Sequence, residues 1–147
     1  MLTFSQPHRV TYAECTIGNH VYYARYLDLL EEARGELFRS IGIPFLRLQE
    51  QDTAFPVIAC QLHFKATARY DDQIRTEISI AELGRIRLAF RYRMTNQMEK
   101  LILEGTTRHV CSTLAEKPKR LPNEVAEALR PYLNAADHPV VRRTDLD

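Results

Sequence analysis

The sequence predicts an α+β domain in which one long helix packs against a curved antiparallel sheet of about five strands. A helical apolar repeat occupies residues 22–41, as expected for a helix that turns one face to the core. Alternating apolar and polar residues dominate from residue 55 to residue 114, as expected for strands with one buried face. Short polar turns separate these strands, which favours hairpins and therefore an antiparallel sheet.

The front half is predicted to contain a strand, a turn and the long helix. Alternation predicts the first strand at residues 8–14, and residues 15–21 form a polar turn. The helix follows from about Val21 and ends at Gly42, where a glycine after the last turn, with Pro44 just beyond, is a common stop signal. Its core-facing stripe consists of Tyr22, Tyr26, Leu29, Leu30, Ala33, Leu37 and Ile41.

The second half is predicted to be a meander of four strands, at residues 55–69, 73–83, 86–94 and 100–114. The connector before it, residues 45–54, is polar and has room for one helical turn. The alternation slips near Cys60 and Gln61, which predicts a β-bulge there. Strands of this length are near the upper end of the usual range, and they suit a sheet that curls around the helix. A short helix is predicted at residues 122–133.

Length and composition predict a single domain at residues 1–134, followed by a frayed tail at residues 135–147. The net charge is only +1, so we expect neither nucleic acid nor an anionic membrane as a partner. We expect no signal peptide, and no apolar run approaches the roughly 20 residues that span a bilayer. The three cysteines have no metal-type spacing and are interpreted as reduced thiols, which predicts a cytoplasmic location.

Reactive side chains are concentrated in the turn before the helix, at Glu14, Cys15, Thr16, Asn19 and His20. The first N–H groups of a helix have no partner within the helix and favour an oxygen that carries negative charge. Polar side chains beside such a helix start are what carbonyl chemistry needs. The sequence therefore places the candidate site in and around this turn.

Two stretches of the sequence resemble the 4-hydroxybenzoyl-CoA thioesterase family of hotdog-fold acyl-CoA thioesterases. The first contains YAECT, NHV and Tyr26, and it ends with Glu31 and Arg34 on the helix. The second is FKATARYDD, a strand that ends in a turn at Asp72. The resemblance covers residues 8–122 and implies the hotdog fold and hydrolysis of an acyl-CoA or acyl-carrier thioester. It implies no metal and no cofactor other than coenzyme A, which is part of the substrate.

The resemblance breaks at one position of the turn. Several members of the family carry a pair of acids there, the second of which acts as base or nucleophile. Glu14 corresponds to the first acid, but Thr16 occupies the position of the second. A threonine hydroxyl is not an ordinary general base at pH 7. His20, where another branch of the family has a histidine, is of a residue type that titrates near neutral pH.

The resemblance implies that His20, Thr16 and Glu31 form the catalytic group. Thr16 would hold the attacking water or the thioester oxygen, and His20 or Glu31 would activate the water. Each residue also has a structural interpretation. His20 would cap the helix entrance, Thr16 would bond to the local backbone, and Glu31 would form a surface pair with Arg34.

The substrate is expected to contact the residues around the helix start, namely Asn19, Val21, Tyr22, Tyr23, Tyr26 and Asp72. In this interpretation the backbone N–H groups from Val21 to Tyr23 stabilise the developing oxyanion. The tyrosines line the pocket or, in the structural interpretation, pack in the core with a solvated hydroxyl.

Members of the family assemble as dimers or tetramers and bind the thioester between subunits, so a homodimer or homotetramer is expected. Because Thr16 replaces an acid, the alternative function is that of a non-catalytic acyl-thioester-binding hotdog protein. A hotdog dehydratase, which would pair His20 with Glu31, is a third interpretation, and the spacing of the turn argues against it.

Overall fold

A computed structural model describes residues 2–134 of the 147-residue chain. The helices are α1 (Arg25–Ser40), α2 (Phe45–Glu50) and α3 (Asn123–Leu129). The strands are β1 (Phe4–Arg9), β2 (Cys15–Thr16), β3 (His20–Val21), β4 (Val57–Phe64), β5 (Gln73–Leu83), β6 (Arg87–Thr95) and β7 (Leu101–Val110). Short 3-10 turns occupy Tyr12–Glu14 and Arg130–Tyr132.

Five strands form one antiparallel sheet in the order β1-β5-β6-β7-β4, and β2 pairs with β3 in a separate hairpin. Helix α1 packs against β1 and β5 of this sheet. The buried residues of helix and sheet belong to one hydrophobic cluster, to which Val125 and Leu129 of α3 also belong. The prediction of a long helix packed on an antiparallel sheet of about five strands is confirmed.

Five of the seven residues of the predicted helical stripe are buried in the helix, but Tyr22 and Ile41 lie outside it and the predicted start of the helix was wrong. Tyr26, Leu29, Leu30, Ala33 and Leu37 are all buried, and the helix ends just before Gly42, whose φ of 80° suits a glycine. The helix begins at Arg25, however, and the Tyr22 side chain is 44% exposed. The delay arises because the Val21 and Tyr22 N–H groups bond to the Ala68 and Glu14 carbonyl oxygens, which keeps both residues outside the helix.

The first strand lies earlier than residues 8–14. β1 pairs along its whole length with β5, from Phe4 opposite Ile78 to Arg9 opposite Gln73. Pro7 is accommodated because β1 is an edge strand, in which an N–H donor is dispensable. The chain then turns because the Glu14 carboxylate accepts a 2.7 Å hydrogen bond from the Thr11 N–H. Residues Tyr12–Glu14 therefore form a 3-10 turn.

The strand predicted at residues 55–69 is shorter, and its irregularity lies elsewhere. β4 ends at Phe64, and its register against β7 shifts between Val57 and Ala59 rather than at Cys60 and Gln61. β4 approaches β7 so closely that a Cβ at Gly105 would collide with the Gln61 carbonyl oxygen. The other three strands of the meander lie within about four residues of the predicted bounds, and β5 matches them.

The predicted C-terminal helix is present as α3 and the 3-10 turn after it, while the tail predicted at residues 135–147 lies outside the described residues. Within residues 2–134, no helix is long and apolar enough to cross a membrane. All three cysteines are free. Cys111 is buried as a small core residue, but Cys60 is exposed on β4.

Candidate active site

A cavity of about 250 Å³ lies between the long helix and the sheet. Helix α1 contributes Glu31 and Arg34 from adjacent turns, and β7 contributes His109. Most of the remaining wall is aromatic or aliphatic, and the full lining consists of Glu31, Arg34, Phe38, Phe45, Leu48, Gln49, Thr53, Ala54, Phe55, Phe90, His109 and Leu114. The Phe38 ring centroid lies 5.2–6.2 Å from those of Phe45, Phe55 and Phe90, so one aromatic cluster forms the apolar side.

The polar side of the cavity rests on a buried hydrogen-bonded network. The Arg34 guanidinium donates to the Tyr92 hydroxyl across 2.9 Å. That hydroxyl lies 2.6 Å from the Thr107 hydroxyl, which in turn lies 2.9 Å from Nε2 of His109. Nδ1 of His109 lies 2.8 Å from the Phe55 carbonyl oxygen. Tyr92, Thr107 and His109 are each at most 2% exposed, so all of their polar atoms must find protein partners.

The His109 imidazole is held neutral at physiological pH. Burial, assisted by the Arg34 charge, lowers its pKa from 6.5 to about 4, although the bond to the Phe55 carbonyl acts in the opposite direction. Among the residues that line the cavity, Arg34 therefore supplies the cation and Glu31 the carboxylate. No ion pair joins these two side chains within the described residues, so the predicted Glu31–Arg34 surface pair is wrong. Both side chains are available to a ligand.

Thr16, Asn19 and His20 lie together on the β2–β3 hairpin, which leads into α1, and none of them lines the cavity. Thr16 pairs with His20 across the hairpin. Gly18 and Asn19 form its tip with φ values of 84° and 61°, which glycine and asparagine tolerate best. The His20 ring packs against this tip, so closely that a Cβ added at Gly18 would lie only 2.7 Å from its Nε2. The hairpin is thus a compact unit with an exposed Thr16.

The helix entrance offers fewer backbone donors than the sequence suggested. The Val21 N–H donates to Ala68 and the Tyr22 N–H to Glu14, each across 2.9 Å. The expectation that N–H groups from Val21 to Tyr23 are free is therefore wrong for two of the three. Within residues 2–134, the Tyr23 N–H has no hydrogen-bond partner, so it is the donor that remains for an oxyanion.

The predicted substrate-binding side chains have different surroundings. Tyr22 and Tyr23 are exposed with ring centroids 4.9 Å apart. Tyr26 is a core residue: it is 3% exposed, and its hydroxyl accepts a bond from the Ala68 N–H. Burial raises the pKa of this phenol. Asp72 stabilises a turn by accepting bonds from the Arg69 N–H and the Gln97 amide.

The acid at the start of the turn is also structural. Nε2 of His8 lies 2.9 Å from the Glu14 carboxylate, while Nδ1 of the same ring lies 3.1 Å from Glu32 on α1. The hydrogen bonds from His8 and Thr11 outweigh desolvation and hold the pKa of Glu14 below its usual value. His8 thereby ties β1 to both the turn and α1, and Glu14 does not line the cavity.

Sequence reasoning missed Arg34, His109 and Phe55 as site residues. Arg34 is part of the quoted helix motif, and its place three residues after Glu31 gave a signal that both side chains share a helix face. His109 lies in a strand pattern beside a run of threonines, and nothing in its spacing links it to α1. Phe55 falls within the strand predicted at residues 55–69, but it lies before β4, and the period of a strand does not indicate its contact with His109.

Comparisons with known proteins agree with this architecture. The model of the thioesterase-like superfamily matches residues 10–129. An acyl-CoA thioesterase, YbgC, of Haemophilus influenzae is 33% identical over 128 residues, which cover 85% of this chain and 93% of the relative. The acyl-CoA thioester hydrolase YbgC of Escherichia coli is 31% identical over 123 residues, 83% of this chain and 92% of the relative.

Solved structures show the same fold. A hypothetical protein from Thermus thermophilus superimposes with a TM-score of 0.82 at 32% identity, over 87% of this chain and 98% of its own. A 1,4-dihydroxy-2-naphthoyl-CoA thioesterase from Synechocystis superimposes with a TM-score of 0.81 at 24% identity, over 93% and 99% of the two chains. The second comparison bears on the fold alone. Family model, relatives and fold agree, and the chain belongs to the thioesterase-like superfamily and has the hotdog fold.

Proposed function

We propose that this protein hydrolyses an acyl-CoA or acyl-carrier thioester to a free acid and a thiol. The observation that carries the proposal is the cavity between α1 and the sheet, in which Glu31 and Arg34 face an aromatic wall. A carboxylate and a guanidinium beside an apolar pocket suit a ligand with a polar reacting group and an apolar tail. The thioesterase names of the relatives support a hydrolase over a binding protein without turnover.

The proposed reaction needs a base for water and donors for the oxyanion. We propose that the hairpin of a second subunit brings Thr16 and His20 to the cavity. Glu31 or His20 then takes a proton from a water held by Thr16, and the water oxygen bonds to the thioester carbonyl carbon. The Tyr23 N–H stabilises the charge on the carbonyl oxygen. The carbon–sulfur bond then breaks, and the leaving thiolate takes up the proton. Asn19, Val21 and Tyr22 shape the hairpin side of the site, and no metal or separate cofactor takes part.

A second copy of the chain is the proposed partner at the β4 edge. β4 pairs only with β7 within the described residues, and all its residues except Ala59 and Leu62 are exposed. Val57, Ile58 and Phe64 are about half exposed. An unpaired edge with exposed apolar side chains is a ready site for pairing with another strand. We propose a homodimer, or a homotetramer built from it, that places the exposed side chains of Tyr22 and Tyr23 between subunits.

The location proposed for the enzyme is the cytoplasm. The support is chemical, because all three cysteines are free and Cys60 is exposed. Free exposed thiols persist where the surroundings are reducing.

Hydrolysis of a panel of acyl-CoA thioesters, followed by the appearance of free thiol, tests the function. Glu31→Gln keeps the size of the side chain and removes the base, so kcat should fall by roughly 100-fold or more. His20→Ala should also lower kcat, and Thr16→Val should lower it less. Glu36→Gln is the matched control, since Glu36 lies on the same helix and pairs with the exposed Arg39.

Three outcomes separate the alternatives. Full activity of both Glu31→Gln and His20→Ala would refute these residue roles while leaving the function intact. Binding of acyl-CoA by the wild-type protein without any turnover would favour the non-catalytic alternative, and Thr16→Asp should then restore hydrolysis. A wild-type protein that neither binds nor hydrolyses any thioester of the panel would refute the proposal.

A further inference from the structure

Four side chains, three of them buried, join the two sides of the cavity in one continuous chain of hydrogen bonds. It begins at the Arg34 guanidinium, runs through the hydroxyls of Tyr92 and Thr107, passes through His109, and ends at the Phe55 carbonyl oxygen. Its steps measure 2.9, 2.6, 2.9 and 2.8 Å. Both of its ends, Arg34 and Phe55, line the cavity.

The direction of every bond in this chain is fixed by its two ends. The Phe55 carbonyl only accepts, so Nδ1 of His109 carries the proton and Nε2 of the neutral ring must accept. The Thr107 hydroxyl therefore donates to Nε2, which leaves its oxygen to accept from the Tyr92 hydroxyl. The Tyr92 oxygen in turn accepts from Arg34, which has no other role than that of a donor. All bonds thus point the same way, and each supports the next.

Such a network is costly to build inside a core. Burying hydroxyls and an imidazole without partners costs free energy, whereas apolar residues of similar shape would fill the same space without this desolvation penalty. A fully satisfied network of this kind instead fixes a unique geometry. Here the fixed geometry is that of the Arg34 guanidinium, whose bond to the Tyr92 hydroxyl uses one of its five N–H donors. The remaining donors are free to meet a ligand next to Glu31.

We propose that Tyr92, Thr107 and His109 are positioning residues that hold the Arg34 guanidinium in the orientation in which it meets the polar reacting group of the thioester in this cavity. The inference rests on the proposed thioester hydrolysis at this cavity. Tyr92, Thr107 and His109 act through Arg34 and need not touch the substrate. Loss of any link frees the guanidinium to rotate, and the cavity keeps its shape and charge but loses its preorganised donor.

The first test deletes single hydroxyls without changing the shape of the core. Tyr92→Phe and Thr107→Val should each lower kcat by roughly tenfold to a hundredfold, with a smaller change in KM. Thr95→Val is the matched control, because Thr95 is an equally buried sheet threonine whose hydroxyl has no partner among the described residues. It should retain wild-type kcat. Assays are made well below the melting temperature of each variant.

The second test asks whether the effect passes through Arg34. In an Arg34→Gln background, adding Tyr92→Phe should change kcat little further, because the group that Tyr92 positions is already absent. Independent, multiplicative losses would indicate a merely structural role for Tyr92 and would overturn the proposal. Wild-type kcat in stably folded Tyr92→Phe and Thr107→Val would do the same.

A third test needs no substrate and so separates this proposal from the proposed function. Nitrogen-15 NMR of the wild-type protein at neutral pH should show His109 as the neutral tautomer protonated on Nδ1. Rotation of the Arg34 guanidinium about its Cζ–Nε bond should be slow, and it should become faster in Tyr92→Phe. An Nε2-protonated tautomer, or equally fast rotation in both proteins, would overturn the proposal even if the enzyme proves active. If both NMR results hold in an inactive protein, the proposed function fails and the positioning chain stands.

Discussion

Acidification should weaken the fold through His109 at a higher pH than through Glu14. The pKa of His109 is about 4 in the folded protein and 6.5 in the unfolded chain, so the unfolded chain binds the proton first as pH falls. A histidine with an acidic partner stabilises the fold at low pH, whereas neutral His109 stabilises it at high pH. The contribution of His109 to the free energy of unfolding is complete above pH 6.5, the pKa in the unfolded chain. It is lost progressively between about pH 6.5 and about pH 4, and it changes no further at lower pH.

The size of the effect follows from the shift. Each pKa unit corresponds to about 1.4 kcal/mol, so the full window carries about 3 kcal/mol and the part above pH 5 about 2 kcal/mol. Urea unfolding at several pH values between 7.5 and 5 measures this loss as a fall in the free energy of unfolding. His109→Gln lacks the titrating group. Between pH 7.5 and pH 5 its free energy of unfolding should therefore fall by about 2 kcal/mol less than that of the wild type.

Two comparisons make the measurement decisive. Thr95→Val leaves the His109 imidazole and its Thr107 partner in place and should keep the pH dependence of the wild type. Glu14, whose pKa is lowered, stabilises the fold above 4.5 and loses this contribution only as pH falls through its folded value, so it does not interfere above pH 5. If wild type and His109→Gln lose the same free energy of unfolding between pH 7.5 and pH 5, the result would refute the statement that burial holds His109 neutral.

Two further predictions concern glycines and the exposed edge. Gly105→Ala should destabilise the protein by roughly 1–3 kcal/mol because the new Cβ collides with the Gln61 carbonyl. The same change at Gly35, inside α1, should stabilise it by roughly 0.5–1 kcal/mol, since its Cβ would meet the Phe45 ring at an ordinary 3.5 Å. Thermal unfolding checks both signs, and a stabilising Gly105→Ala would contradict the packing of β4 on β7. Ile58→Lys should reduce self-association in analytical ultracentrifugation, whereas Met98→Lys, at a 73% exposed loop position, should not. Unchanged association in Ile58→Lys would exclude β4 as the interface.

The elements that could be predicted from the sequence are those whose periodicity is set by the core. The stripe of α1 and the strand β5 follow this rule, because a buried face repeats at the helical or strand period. The position of the first strand and the start of the helix depend on individual hydrogen bonds instead. The Glu14 bond to Thr11 and the Ala68 bond to Val21 move the first strand and the helix start by several residues, and neither bond leaves a periodic trace.

The residues of the candidate site likewise fall into those that a local motif indicates and those that only the tertiary structure brings together. Glu31 was identified from a local motif on one helix, and it lines the cavity. His109 connects to Arg34 of α1 only through Tyr92 on β6 and Thr107 on β7, so the connection depends on how three elements are aligned. No spacing in a single sequence encodes an alignment between elements that are far apart in the chain. The catalytic roles of Thr16 and His20 stay predictions until the hydrolysis experiments are made.

The pairing of β1 with β5 has a consequence for the order of events during synthesis. β1 leaves the ribosome first, but its partner begins only at Gln73, and contacts across such a separation form late. The hairpin with Thr16 and His20 depends on the same distant region, since the Gly18 carbonyl and the Asn19 side chain bond to Arg69 and Tyr70. The residues proposed for chemistry are therefore translated before the residues that fix them in place, and a nascent chain carries its turn exposed until Arg69 and Tyr70 have been made.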